Sequence, residues 1–171
     1  MAEVMKVLSA VVKRKRDCGG CTVCCWAMGV EAIDLAPFAT CPHSTAGAGC
    51  SIYETRPEKC SQWHCSWVAD DEFLSERDRP DRGGLLFYPI GRFVLPNGNA
   101  LEKIRMLKCQ ESSPGAFAGF RSDGLFQRLL KRGYVLVLSP YIEEEGATTV
   151  QIRVPENAAI RQYVHRQVNG G

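Results

Sequence analysis

The chain has 171 residues and a mass of 18.9 kDa, the size of one ordinary domain or of one domain with a small appended module. Hydrophobic residues make up 45% and charged residues 23%, close to globular averages, which argues against disorder, collagen and coiled coil. The net charge is +2 with neither half strongly basic, so there is no nucleic-acid footprint, and no apolar run approaches the ~20 residues of a transmembrane segment.

Residues 1–17 are expected to form an N-terminal helix. Val4, Val7, Leu8 and Val11 recur at helical spacing, and the basic run Lys13 to Arg16 follows them. A secretory leader has the opposite order, cations first and then the apolar run. Glu3 and Asp17 also count against a mitochondrial presequence.

The next segment carries the outlier in composition. Of 9 cysteines, all but Cys109 fall within residues 18–65: Cys18, Cys21, Cys24, Cys25, Cys41, Cys50, Cys60 and Cys65. A disulfide framework belongs to small secreted domains, whereas a dense cluster in a reducing compartment points to metal. The odd count, the lack of a leader pattern and a following segment able to form its own core favour metal and a cytoplasmic location.

Spacing sharpens this. Cys18-Gly19-Gly20-Cys21-Thr22-Val23-Cys24-Cys25 holds two overlapping Cys-x-x-Cys steps, and two intervening residues let a tight turn aim both sulfurs at one ion. The adjacent pair Cys24 and Cys25 diverges too much to chelate one ion without strain, so one serves a first site and the other a second site or a bridge. Eight sulfurs satisfy two closed four-thiolate zinc sites or one polynuclear cluster, and Cys-x-x-Cys-x-x-Cys also occurs in bacterial ferredoxins. His43 and His64 are further candidate ligands, more readily placed at the surface or behind the ligands. Trp26, Trp63 and Trp67 are expected to give apolar cover to a segment poor in aliphatic residues. Arg56 suits a backbone-bonding role or the offset of thiolate charge.

The run from Cys18 through Cys25, then Cys41, Cys50-Ser51-Ile52-Tyr53-Glu54-Thr55-Arg56-Pro57, Cys60 and Cys65 resembles the zinc- or iron-chelating cysteine-cluster proteins, the CxxCxxCC or YkgJ-like family. The likeness covers residues 18–65. Arg79-Pro80-Asp81 and residues 111–116 are similar to segments found after the cluster in longer members. The resemblance implies metal chelation and leaves zinc or iron open.

Residues 18–68 therefore read as a metal-binding module and residues 69–171 as an α+β portion packed on it. Within the latter, residues 69–82 form a charged loop with a short helix near 72–75. Residues 85–95 and 101–109 form a hairpin around Pro96-Asn97-Gly98-Asn99. A helix runs from Ser113-Pro114 to Gly133, interrupted near Gly124. Residues 134–138 and 148–154 form a second hairpin around Glu143 to Gly146, and Pro155-Glu156 opens a last helix. This order predicts an α+β fold with an antiparallel sheet and helices on one face. Cys109 is expected to be a small buried strand residue rather than a ninth ligand.

No phosphate loop, dinucleotide fingerprint or nucleophile elbow occurs, and nothing names a substrate, partner or oligomeric state. The sequence supports a cytoplasmic zinc protein with a mainly structural cluster. The alternatives are an iron–sulfur oxidoreductase or electron carrier, and a metal donor or sensor.

Overall fold

A computed structural model of the chain describes residues 16–69, 73–97, 100–141 and 150–169. The expected N-terminal helix and the turn at Glu143 to Gly146 lie outside the described residues, as does Gly98 in the first hairpin turn.

The cysteine-rich segment is built from short pieces. Helix α1 (Val23–Ala27) is followed by a two-stranded ribbon, β1 (Ser44–Thr45) with β2 (Gly49–Cys50), then by α2 (Glu58–Gln62) and α3 (Ser66–Ala69). One-turn helices are marginal on their own. Only Val30, Leu35 and Cys41 form a local buried cluster here. Turn α4 (Pro80–Gly83) leads into the sheet, with Pro80 at the helix start, where its missing N–H costs nothing. The short helix expected near 72–75 is instead a 3-10 turn, Glu76–Asp78. Asp78 accepts from the Ser75 amide at 2.8 Å and the Ser75 hydroxyl at 2.7 Å.

The main sheet has four strands in the order β3 (Leu85–Asn97), β4 (Ala100–Glu111), β5 (Val135–Ser139), β6 (Gln151–Arg153). The first pair is the expected antiparallel hairpin, in register from Leu85↔Glu111 to Asn97↔Ala100 with a bulge between Pro89 and Gly91. Pro89 is tolerated because β3 is an edge strand.

The all-antiparallel sheet is not what forms. β5 runs parallel to β4, from Met106↔Val135 to Gln110↔Ser139, while β6 returns antiparallel to β5. The reason is α5 (Phe120–Lys131), which carries the chain back along the sheet, so the next strand starts beside Met106 and runs in the same direction as β4. The sheet is therefore mixed, within an α+β fold.

The helices also do not share one face. Along β4 and β5, Leu107, Cys109, Leu136 and Leu138 pack with Leu125, Phe126 and Leu129 of α5. The alternate residues Ile104 and Val135 pack with Ile160 of the last helix, α6 (Ala158–Asn169). Side chains alternate across a strand, so α5 and α6 lie on opposite faces. The sequence Val135-Leu136-Val137-Leu138 already carries this demand, since a strand apolar at every position needs cover on both sides. Leu86 falls on the α6 face, beside its register partner Gln110, and packs under the cysteine-rich segment. Trp67 and Val68 of α3 belong to the same core cluster as the sheet, so hydrophobic packing is continuous between the two portions.

Two helix starts differ from expectation. α5 begins after Gly119, preceded by the turn Ala116–Ala118, and passes through Gly124 without a break. α6 begins at Ala158 because the Asn157 side chain accepts from the amides of Ala159 at 3.0 Å and Ile160 at 3.1 Å. The buried Glu111 carboxylate ties two loops to the sheet, accepting from the Phe117 amide at 2.7 Å and the Tyr141 amide at 2.9 Å. Cys109 is 0% exposed within this core, the buried strand position expected of it.

Candidate metal centre

Each cysteine reaches the centre by a local device. Cys18 and Cys21 flank a tight turn in which the Cys21 amide donates to the Cys18 carbonyl at 3.1 Å. Gly19 supplies the left-handed φ of 54° that this turn needs. Cys24 and Cys25 lie side by side on α1, about 100° apart around the helix, with their thiols in hydrogen-bond contact. Cys41 closes the turn before the β1–β2 ribbon and Cys50 ends it. Cys60 lies on α2, and Cys65 accepts through its carbonyl the first amides of α3, those of Val68 and Ala69, both at 3.1 Å.

All eight are free thiols, and all eight line one cleft of about 820 Å³, part of it open to solvent. His43 and His64 also line it. The His64 Nδ1–H donates to the Gln62 carbonyl at 2.9 Å. Arg56 stands at the rim, donating to the Tyr53 carbonyl with its guanidinium 3.8 Å from the Tyr53 ring centre.

Within the cleft the thiols sort into two sets. Cys18, Cys21, Cys24 and Cys65 surround a second, smaller cavity walled by Trp67, Val68, Pro80 and Leu86. Cys25 and Cys60 pack against the cluster of Val30, Leu35 and Cys41, and Cys60 lies within reach of the charges of Cys25, Cys41 and Cys50. The inner set is thus Cys18, Cys21, Cys24 and Cys65, and the outer set is Cys25, Cys41, Cys50 and Cys60. The boundary falls between the adjacent pair: Cys24 lines the smaller cavity, and Cys25 packs against the cluster of Val30, Leu35 and Cys41, though the two thiols touch.

The thiols are costly to ionise in isolation. Burial pushes Cys65 up to about 11, against the amides of Val68 and Trp67 and in company with Cys18 and Cys21. Burial also raises Cys21, opposed by hydrogen bonds from the Val23 and Asp81 amides. Burial raises Cys60 too, helped by the charges of Cys25, Cys41 and Cys50. The Cys24 thiol donates to Cys25, which pushes Cys24 well up and brings Cys25 down to about 7.

Four thiolates per set match the donor count and softness that tetrahedral zinc or an iron–sulfur centre requires. The amides aimed at Cys21 and Cys65 are the hydrogen bonds that orient such ligands. In chemistry and number the residues fit a metal. The sulfurs stand as neighbours rather than as a closed cage: among the described residues, no group of three or more His, Cys, Asp or Glu side chains is positioned to hold an ion.

Two contributors are not legible as such in the sequence. Asp81 gives its amide to Cys21, and Arg79 holds the Asp81 carboxylate through two bonds of 2.7 Å. The signal lies in Arg79-Pro80-Asp81, which on composition alone reads as an exposed loop. Of the tryptophans, Trp63 lines the cleft and Trp67 the smaller cavity, while Trp26 lines neither. Trp26 stacks on Tyr141 at 5.3 Å, Trp63 meets Tyr88 edge-on at 5.4 Å, and Trp67 is 4% exposed with its indole N–H on the Ser75 carbonyl.

The two sets touch through backbone. The Gly47 amide in the ribbon turn donates to the Gly20 carbonyl at 3.1 Å, and a Cβ on Gly20 would lie 2.2 Å from the Gly47 oxygen. Gly20→Ala is therefore expected to push the Cys50 ribbon off the Cys18–Cys21 turn and to cost about 1–3 kcal/mol. Denaturant unfolding of the metal-loaded protein measures it, and an unchanged midpoint would contradict this close approach.

No helix among the described residues is long and apolar enough to cross a membrane. Comparison of the chain with protein-family models, with curated proteins and with solved structures yields no match. The resemblance of residues 18–65 to the CxxCxxCC proteins thus rests on the motif itself.

Proposed function

We propose that the chain is a cytoplasmic metal-binding protein whose eight clustered cysteines chelate two zinc ions, mainly as a structural centre. The observation that carries this reading is the division of the thiols into two sets of four around one cleft. Zinc in such a set is redox-inert and joins distant segments as a cross-link. The chain does the rest. Amides from Val23 and Asp81 orient Cys21, those from Trp67 and Val68 orient Cys65, and Trp67, Val68 and Leu86 exclude water from the inner side.

One feature favours a second reading, an iron–sulfur protein acting as electron carrier or oxidoreductase. The inner set combines Cys18-x-x-Cys21-x-x-Cys24 with the remote Cys65, a ligand pattern that ferredoxin-type clusters use. The outer set, Cys25, Cys41, Cys50 and Cys60, has no Cys-x-x-Cys step and argues for mononuclear zinc. Metal analysis and a visible spectrum of anaerobically purified protein separate the two. The expected result is a colourless protein with about two zinc ions per chain. A brown protein with about four iron and matching sulfide establishes the second reading. Bound metal absent, with disulfides in place of free thiols, overturns both.

A further inference from the structure

The two sets of thiols stand in very different surroundings. The inner set is walled by the main hydrophobic core, with Trp67, Val68 and Leu86 exposed by only 4%, 1% and 0%. Its last ligand, Cys65, directly precedes α3, which buries Ser66, Trp67 and Val68. The chain entering the set is also fastened there: the Arg16 amide donates to the Val68 carbonyl at 3.2 Å, and its guanidinium donates to the Trp67 carbonyl at 3.0 Å. Moving Cys65 means opening the core.

The outer set has no such backing. Cys60 lies on α2 and Cys50 is followed by the turn Tyr53–Thr55, and neither of these elements buries a single residue. The buried cover on this side is the cluster of Val30, Leu35 and Cys41, and the half-buried Tyr53 and Arg56 also line the cleft. Local opening of residues 50–62 would break few apolar contacts, and segments of that kind open at small free-energy cost.

Resting on the metal-binding reading above, we infer that the sites are unequal: the inner set holds its ion permanently, and the outer set exchanges its ion with ligands that arrive from solvent. The outer site is then a transfer site and the inner one its scaffold. In the exchange, donor atoms of the incoming ligand replace the Cys25, Cys41, Cys50 and Cys60 sulfurs at the ion bond for bond. The released sulfurs keep their electron pairs and take protons from water, so no oxidant or reductant takes part. The surrounding shell controls such access, because an incoming ligand must reach the ion before a thiolate leaves.

The test uses the full chain reconstituted with zinc under reducing conditions and then challenged with excess 4-(2-pyridylazo)resorcinol. Two phases of release are expected, about one equivalent each and at least ~10-fold apart in rate. Hydrogen exchange read after the fast phase should show lost protection in residues 50–62 and none lost in residues 66–69 and 85–97. Cys60→Ser should abolish the fast phase and keep the slow one. This variant leaves the main core intact, so misfolding does not mask the result. Release of both ions at one rate, or a fast phase that survives in Cys60→Ser, overturns the inference while leaving the zinc reading in place. Failure of the reconstituted chain to retain any zinc overturns both.

Discussion

Removing all metal with a strong chelator under reducing conditions is expected to strip residues 18–62 of protection against hydrogen exchange, while residues 85–97 and 104–139 keep most of theirs. The front segment buries only Val30, Leu35 and Cys41 as a local core, and its helices are one turn long. Such a segment cannot offset its own ordering entropy by burial, and under the proposed reading the metal bonds supply the difference. The sheet and α5 bury Leu85, Leu86, Phe87, Leu107, Leu125, Phe126, Leu129, Leu136 and Leu138 in one cluster, of which Cys65 is the one proposed ligand and only a small part. Helix α3 should follow the sheet rather than the cysteines, because Trp67 and Val68 lie in that core. Uniform loss of protection would show a single cooperative unit. An unchanged front segment after confirmed removal would show that the metal is not structural and favour the donor or redox reading.

Phe126→Ala is expected to cost about 3–5 kcal/mol. Phe126 is 0% exposed, with Phe87 and Phe117 edge-on at 6.3 Å and 5.8 Å and the Arg153 guanidinium 4.9 Å from its ring centre. Truncation opens a cavity at the junction of α5 and the sheet, where neighbours on three elements cannot all collapse. Urea unfolding of the loaded protein measures the loss. Because α5 covers the sheet face opposite the cysteines, the folded variant should retain its full metal content. A shift under ~1 kcal/mol would mean that α5 does not anchor the core.

The cluster itself can be read from the sequence, because Cys-x-x-Cys spacing is a local property and each tight turn needs only its own residues. What the spacing cannot say is that Cys65 joins Cys18, Cys21 and Cys24 while Cys41, Cys50 and Cys60 gather round Cys25. That assignment is made by α3 docking on β3, a contact between segments far apart in the chain. In the sheet, the strands and the first hairpin are foreshadowed by alternation and by Asn97-Gly98. The parallel pairing of β4 with β5 is not, because strand direction depends on where α5 returns the chain, which no side-chain pattern records. The evenly apolar run from Val135 to Leu138 does announce burial on both faces.

The single peptide bond between Cys24 and Cys25 has a thermodynamic consequence. These residues sit on one turn of helix, one facing each set. An ion held by the inner set fixes the backbone dihedrals on both sides of that bond. Cys25 is then already oriented before any ion reaches the outer set, and the ordering entropy of its segment has been spent once for two binding events. If the proposed sites bind as inferred, filling of the inner set would raise the affinity of the outer one, and by reciprocity a filled outer set would tighten the inner. The two sites would load in a defined order and show positive cooperativity without any contact between the ions.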